Sequence, residues 1–282
     1  MTVGPVMPSL GEFLRARRAL VAPSRHGLPD GPRRTPGLRR DEVAMLAGIS
    51  TAYYVRLEQG RDVRPSVEVL DALAGALLLE EEADAYLRAL VEPPSRRRAG
   101  GSRRPERAAP GLVALMNTWN HTPALLYNRH LDLLAINSMG RALFSWLGDE
   151  TNLLRAIFLD PAARVFYRDW ARIAEGCVAA MRLDNAGRDD QRLVELVGEL
   201  SVKSPEFATL WSSHKVRAKR SSTKHFDHPV LGALSLSFEN LTVATAPGQH
   251  LVVYHCEPGS AAAEALVALD QVSGDGLGVN EG

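Results

Sequence analysis

The residues whose types and spacing best suit a chemical role lie between positions 40 and 61. Hydroxyl and guanidinium groups recur there, and several share the exposed side of a helix predicted to begin after Ser50. Such groups donate hydrogen bonds to phosphate oxygens and to the edges of bases. The segment therefore predicts a surface suited to double-stranded DNA, formed by Ser50, Thr51, Ala52, Tyr53, Arg56 and Arg61.

Two helices that cross steeply around a tight turn would position this surface. Such a pair needs a small residue where the helices touch and a glycine where the chain reverses, and Ala44 and Gly48 stand at those places. Ser50 is a favourable helix N-cap, and Tyr54 falls on an apolar position that predicts burial. The alternative is a small helical bundle with the same corner that never meets DNA.

The stretch GLRRDEVAMLAGISTAYYVRLEQGRDVRPS, at 37–66, resembles the Cro/XRE class of helix-turn-helix transcriptional regulators. The resemblance implies that Thr51, Ala52 and Arg56 face base edges in the major groove, with Arg56 able to bind a guanine through two hydrogen bonds. It implies phosphate contacts for Ser50, Tyr53 and Arg61, and it adds Arg40 to the predicted DNA-binding surface as a fourth phosphate contact. It also implies a homodimer that binds two half-sites about one helical turn apart.

The second half of the chain carries another resemblance, to the PAS-like ligand-binding domain of MmyB-like regulators. Matching stretches include TPALLYNRHLDLLAIN at 122–137, NLLRAIFLDPAAR at 152–164 and HPVLGALSLSFENL at 228–241. The resemblance implies a small apolar ligand such as a fatty acid, and no other cofactor. The candidate ligand-binding residues are Asn137, Arg155, Trp170, His214 and His228.

Structural alternatives exist for this second assignment. A carboxylate headgroup would need a cation or several donors, and Arg155 lies in the otherwise apolar stretch NLLRAIF. A surface salt bridge would explain Arg155 equally well, and Asn137, which ends a predicted strand, could serve as a turn or helix cap. The domain could also serve only to dimerise or to bind a protein partner, since both roles need an apolar surface.

Periodicity and helix breakers predict two domains. Five helices in the first ninety residues form an all-α bundle that contains the helix-turn-helix. A strand pair, then helices, one of them over 162–185, and then three strands predict an α+β, PAS-like domain with a five-stranded antiparallel sheet. The predicted ranges are 1–91 for the DNA-binding domain, 92–110 for a linker rich in Arg, Pro and Gly, 111–262 for the ligand-binding domain and 263–282 for a C-terminal tail.

Composition narrows the function classes. Residues 1–107 carry 18 arginines, no lysine and 14 acidic residues, a net charge of +4 that suits phosphate binding. No apolar run reaches the roughly 18 residues of a membrane span, so we expect a cytoplasmic protein. The chain holds no GxSxG, HExxH or phosphate-loop motif, and its two cysteines form no CxxC pair. We therefore expect neither an enzyme nor a metal site, although His225 and His228 could in principle begin one.

Overall fold

The computed structural model describes residues 9–29, 37–61, 64–91, 106–188, 190–213 and 223–275. Within those ranges the contacts form two compact units. We call residues up to 91, together with 178–213, the helical unit. Residues 106–177, together with 223–275, are the sheet unit.

The described elements follow the order of an all-helical region and then a mixed one. The helices are α1 (Leu10–Leu20), α2 (Arg40–Leu46), α3 (Thr51–Glu58), α4 (Val67–Ala76), α5 (Glu81–Val91), α6 (Pro110–Met116), α7 (Ser138–Leu143), α8 (Leu153–Leu159), α9 (Pro161–Phe166), α10 (Trp170–Asp184), α11 (Gln191–Lys203), α12 (Pro205–Ser212) and α13 (Ala261–Asp275). The strands are β1 (Ala124–Asn128), β2 (Leu133–Ile136), β3 (Thr223–His228), β4 (Gly232–Thr242) and β5 (Gln249–His255).

Three helices of the bundle begin where their capping residues predict. The Ser9 hydroxyl accepts a hydrogen bond from the Glu12 amide, and the Glu12 carboxylate accepts one from the Ser9 amide at 2.8 Å. This reciprocal pair is a capping box at the start of α1. Ser50 and Ser66 cap α3 and α4 through their hydroxyls. Because each cap joins residues three apart, the sequence alone could predict these starts.

The core of the helical unit depends on a close crossing of α1 and α3. A methyl group on Gly11 would stand 2.7 Å from the carbonyl carbon of Glu58, so only glycine lets the two backbones approach this closely. Phe13 and Tyr54 are fully buried in the same core. The rings of Phe13 and Tyr86 meet edge to face, with their centres 5.2 Å apart. The burial predicted for Tyr54 is confirmed.

The sheet unit contains five antiparallel strands in the order β2-β1-β5-β4-β3. The predicted five-stranded antiparallel sheet is therefore confirmed. Its central pair joins β1 to β5, from Ala124 opposite Val253 to Asn128 opposite Gln249, although more than a hundred residues separate the two strands. Helix α13 returns to pack against α7 and β4.

Short segments of the same unit cover parts of both edge strands. At the β2 edge, the Leu133 amide donates to the Thr151 carbonyl at 2.6 Å. At the β3 edge, the Arg168 amide donates to the His225 carbonyl at 3.1 Å. Each edge thus uses some of its outward-facing backbone groups within the chain.

The helix predicted over 162–185 is two helices in the structure. Tyr167 has an extended backbone (φ −95°, ψ 111°) that ends α9, and it forms a bridge to Phe226 on β3 before α10 begins at Trp170. The apolar periodicity continues through the break, which is why the sequence pattern joined the two. The structure also adds α6, α12 and α13, which the sequence did not predict. Among the described residues, no helix combines the length and apolar character needed to cross a bilayer.

Two segments near the expected domain boundaries have contacts that the sequence did not predict. Residues 178–213, expected within the ligand-binding domain, belong to the helical unit, where Leu183 and Ala186 pack against the core of the bundle. The tail expected from position 263 is mostly α13, because its buried Leu266 and Leu269 tie it to the sheet unit. The expected linker at 92–110 lies mainly outside the described residues.

Candidate DNA-binding surface and ligand-binding interior

A tight turn between α2 and α3 sets the direction of α3. Gly48 has a left-handed backbone (φ 64°), which glycine adopts without strain. The Ile49 amide donates to the Ala44 carbonyl at 2.9 Å and closes the turn. The Ser50 hydroxyl then accepts a hydrogen bond from the Tyr53 amide at 3.1 Å. The predicted corner of the helix-turn-helix is therefore confirmed, with its small residue, glycine and cap in the expected places.

The outward side of α3 gathers most of the residues predicted to contact DNA. Thr51, Ala52 and Arg56 are exposed, and Tyr53 is half-buried beside them. The Arg56 guanidinium lies 5.2 Å from the centre of the Tyr53 ring, a cation–π contact that holds the arginine along the helix. The exposed Arg61 follows at the end of α3, where its amide donates to the Arg56 carbonyl at 2.9 Å. These side chains form one surface.

Arg40, the other arginine predicted to contact phosphate, forms an ion pair with a buried carboxylate. Its Nε donates to Glu58 Oε2 at 2.7 Å, while 49% of the Arg40 side chain stays exposed. Glu58 Oε1 accepts a second bond, 2.6 Å long, from Arg18 Nε on α1. Arg18 also donates to the Leu38 carbonyl at 2.8 Å. A single carboxylate thus ties α1, α2 and α3 together and fixes Arg40 at the edge of the predicted DNA-binding surface.

Arg18, Glu58 and Arg40 form an ion triad in which burial and ion pairing shift pKa values in opposite directions. Burial alone would raise the pKa of the Glu58 carboxyl, whose side chain is 0% exposed. Hydrogen bonds from the two guanidinium groups, together with their positive charges, outweigh burial and lower the pKa of Glu58 below its usual value. Burial would also lower the pKa of Arg18, but its pair with Glu58 raises it. Glu58 and Arg18 are therefore both charged at neutral pH.

Arg18 and Glu58 were not predicted as part of this surface, although the sequence holds a signal for Glu58. Glu58 follows Tyr54 by four positions and therefore lies on the same buried side of α3. A carboxylate on a buried helix face requires a cationic partner. Which arginine supplies that charge depends on the crossing of α1 and α3, and the sequence alone does not give this crossing.

The interior of the sheet unit contains a cluster of aromatic rings between the sheet and helices α7 and α9. Phe166 lies 5.0 Å from Phe226 on β3, and Phe144 lies 5.4 Å from Tyr254 on β5, measured between ring centres. An interior of this kind favours an apolar ligand over a polar one. The residues of this aromatic cluster are Phe144, Trp146, Phe166, Tyr167, Phe226 and Tyr254.

Both polar atoms of the Asn137 side chain, a predicted ligand-binding group, form hydrogen bonds to the backbone. The side chain is 1% exposed, and its Oδ1 accepts hydrogen bonds from the amides of Ala124 at 2.9 Å and Gly140 at 2.8 Å. Its Nδ2 donates to the carbonyls of Met116 at 3.1 Å and Thr122 at 2.9 Å, with a longer contact to Trp119. Asn137 therefore joins β1, α7 and the end of α6, and it has no spare donor for a ligand.

His228, another candidate, also bonds only to the backbone around it. Its Nδ1 accepts from the amides of Val230 and Leu231, each at 3.2 Å, which shapes the turn between β3 and β4. Its Nε2 lies 3.2 Å from the Ala142 carbonyl oxygen, so the ring proton is assigned to Nε2. His225 contacts the Ser235 hydroxyl and lies on the opposite face of β3, since the two histidines are three positions apart on a strand. The two histidines are therefore not placed to share a metal ion.

Three candidate ligand-binding residues remain: Trp170, Arg155 and His214. The Trp170 indole N–H donates to the Ile157 carbonyl at 2.9 Å, and the Arg164 guanidinium lies over its ring at 3.7 Å. Arg155 is half-buried on α8. His214 lies outside the described residues. Asn137, Trp170 and His228 thus each form hydrogen bonds to the backbone of a different part of the fold.

Two family models match the chain, in the same order as the two predicted domains. Residues 9–87 match a helix-turn-helix domain, a range that contains the turn and the outward side of α3. Residues 108–269 match the MmyB-like transcription regulator ligand binding domain, a range that contains all five strands. The second match covers more than half of the chain. No curated protein is similar enough to the chain to match it.

Proposed function

The chain belongs to the MmyB-like transcription regulators, and we propose that a fatty acid or a similar apolar ligand alters its affinity for operator DNA. A helix-turn-helix domain and a ligand-binding domain on one chain make it a DNA-binding transcription regulator. The fatty acid, the individual DNA contacts and a homodimeric assembly are the parts that we propose.

The exposed side of α3 is the observation that carries the proposal for DNA. A recognition helix must present outward side chains from a rigid support so that they meet base edges in the major groove. Thr51, Ala52 and Arg56 have this placement, and the Ser50 cap and the ion triad hold the helix behind them. In the proposed complex these three residues face bases. The phosphate contacts come from Arg40, Ser50, Tyr53 and Arg61.

The aromatic cluster supports an apolar ligand. Five of its six rings are buried, and a hydrocarbon chain that packs among such rings gains free energy by leaving water. A ligand changes operator affinity only as far as it prefers one of two protein states. In a homodimer, the distance between the two recognition helices would be the quantity that changes, since half-sites one helical turn apart fix that distance.

The proposal is tested by operator affinity with and without ligand. Selection from a random duplex library by the full-length protein would first give the operator. Fluorescence anisotropy would then measure its affinity in the presence of medium- and long-chain fatty acids. We expect a change of about fivefold or more, the usual lower range of coupling between two sites. Equal affinity with the acid bound would contradict the coupling between ligand and operator. If none of the acids binds, a domain that only dimerises or binds a protein partner is favoured, and light scattering would identify the dimer.

A matched pair of arginine substitutions tests the proposed DNA contacts. Arg56→Ala is expected to weaken operator binding by about 1–3 kcal/mol and to relax the preference at one base pair, because a lost bidentate contact affects only the base that it reads. Arg61→Ala is expected to weaken binding equally on all sequences and to lower the salt dependence by about one phosphate contact. Competition binding on single-base operator variants distinguishes the two. A uniform loss for Arg56→Ala would assign Arg56 to phosphate instead.

A further inference from the structure

One lysine points into the apolar interior of the sheet unit. Lys224 lies directly opposite Leu236, which is fully buried, in the pairing of β3 with β4. Side chains alternate between the two faces of a strand, so Lys224 shares the inner face with Phe226 and His228, both of which are buried. Lys224 itself is half-buried. A cation at this position is not explained by the packing of the sheet.

Among the described residues, the Lys224 ammonium contacts two aromatic rings and one polar group. Nζ donates to the Tyr254 hydroxyl at 2.8 Å and lies 4.4 Å from the centre of the Phe238 ring and 5.0 Å from that of Tyr254. Burial raises the pKa of the nearby Cys177 thiol by more than the positive charge of Lys224 lowers it, so the thiol remains neutral. Within the described ranges, no carboxylate forms an ion pair with Lys224.

Partial burial removes some of the water that would hydrate the Lys224 ammonium, which has no counter-charge beside it in the described part of the chain. Cation–π contacts compensate for this loss only in part. The free energy of such a cation is lowered when an anion binds beside it. The Tyr254 hydroxyl accepts from Lys224 and keeps one hydrogen to donate. Because Tyr254 also belongs to the aromatic cluster, a polar headgroup at Lys224 would place an attached apolar chain against Phe144 and Phe226, whose ring centres lie 5.4 and 6.1 Å from that of Tyr254.

We propose that Lys224 and Tyr254 bind the anionic headgroup of the apolar ligand, with Lys224 supplying the charge and Tyr254 a second hydrogen bond. This inference rests on the proposed function and adds the chemistry of the headgroup to it. A carboxylate and a phosphate monoester both fit this description. Arg155, the cation that the sequence favoured for this role, is not part of the pair.

The test compares an acid with its uncharged ester. Full-length protein is titrated with the fluorescent fatty acid cis-parinaric acid and with its methyl ester, and displacement by a lysophosphatidic acid compares the two headgroups. We expect the wild-type protein to bind the acid about tenfold or more tightly than the ester, as a charge-assisted contact requires. Lys224→Met should abolish this preference while ester binding persists, and Lys224→Arg should retain most of it.

Further variants keep the inference open to contradiction. Tyr254→Phe should weaken acid binding severalfold, and near-ultraviolet circular dichroism checks that the aromatic cluster is intact in each variant. Arg155→Met is the matched control and should keep the preference for the acid. Equal binding of acid and ester by the wild-type protein, or a preference that survives Lys224→Met, would overturn the inference but leave an apolar ligand. Binding of neither compound would overturn the proposed function and this inference with it.

Discussion

Glu58→Gln is expected to destabilise the helical unit by about 3–5 kcal/mol, the usual effect of breaking a buried ion pair. The substitution keeps the shape of the side chain but removes its charge. Arg18, which is 8% exposed, then stays buried with no carboxylate to pair with. Arg40 is half-exposed and loses less, because water can replace its partner.

The expected loss is measured by urea unfolding of the full-length protein, followed by far-ultraviolet circular dichroism. Amide hydrogen exchange in α1 and α3 assigns the loss to the helical unit. Asp71→Asn is the matched control, since it makes the same chemical change in an exposed pair with Arg88 at 2.6 Å. The control should cost less than about 1 kcal/mol. Comparable losses for the two variants would show that the ion triad contributes no more than a surface pair.

At low pH, the wild-type protein should no longer be more stable than Glu58→Gln. The pKa of Glu58 is lower in the folded protein than its ordinary value of 4.5, so the folded state holds the ionised form more strongly. The stabilisation is complete above pH 4.5 and is lost as the pH falls through the folded-state pKa. The stability difference between the two proteins should therefore shrink below that pH. A difference that stays constant from neutral to acidic pH would contradict the role of the Glu58 charge.

Asn137→Asp is expected to destabilise the sheet unit by about 3 kcal/mol or more, the second large effect. The substitution keeps the oxygen that caps α7, but it replaces the amide donor by a second oxygen. That oxygen would face the carbonyls of Met116 and Thr122, which are now hydrogen-bonded to Nδ2. Buried carbonyls then lose their donor, and a negative charge lies beside them.

Asn117→Asp provides the control for this second prediction. Asn117 is exposed at the end of α6, so the same chemical change should cost less than about 1 kcal/mol. Thermal unfolding with a probe of the aromatic cluster reports on the sheet unit. If Asn137→Asp retained full stability and lost only fatty acid binding, Asn137 would be a ligand-binding residue, the other role that its sequence position allowed.

The sequence predicts the helical bundle well because its signals are local. Caps such as Ser9 and Ser50 act on amides three residues away, and Gly48 sets a turn through its own backbone. The exposed side of α3 follows from the same helical period. The candidate DNA-binding surface was therefore predicted almost entirely from residues 40–61, except for the carboxylate that holds Arg40.

The candidate ligand site depends on contacts that the sequence does not contain. The asparagine and histidine chosen as ligand-binding residues are polar groups in apolar stretches, and their partners are backbone groups of other elements. Lys224 was overlooked because its significance depends on which face of β3 is covered. The alternation of Lys224, Phe226 and His228 shows one face, but only the packed helices identify it as the inner one.

The partly covered sheet edges restrict how two copies of this chain can assemble. Strand addition requires an edge with a continuous row of unpaired amides and carbonyls, and the segments at Thr151 and Arg168 interrupt that row at both ends of the sheet. A homodimer built by joining two sheets into one of ten strands is therefore disfavoured. The same interruptions limit edge-to-edge aggregation.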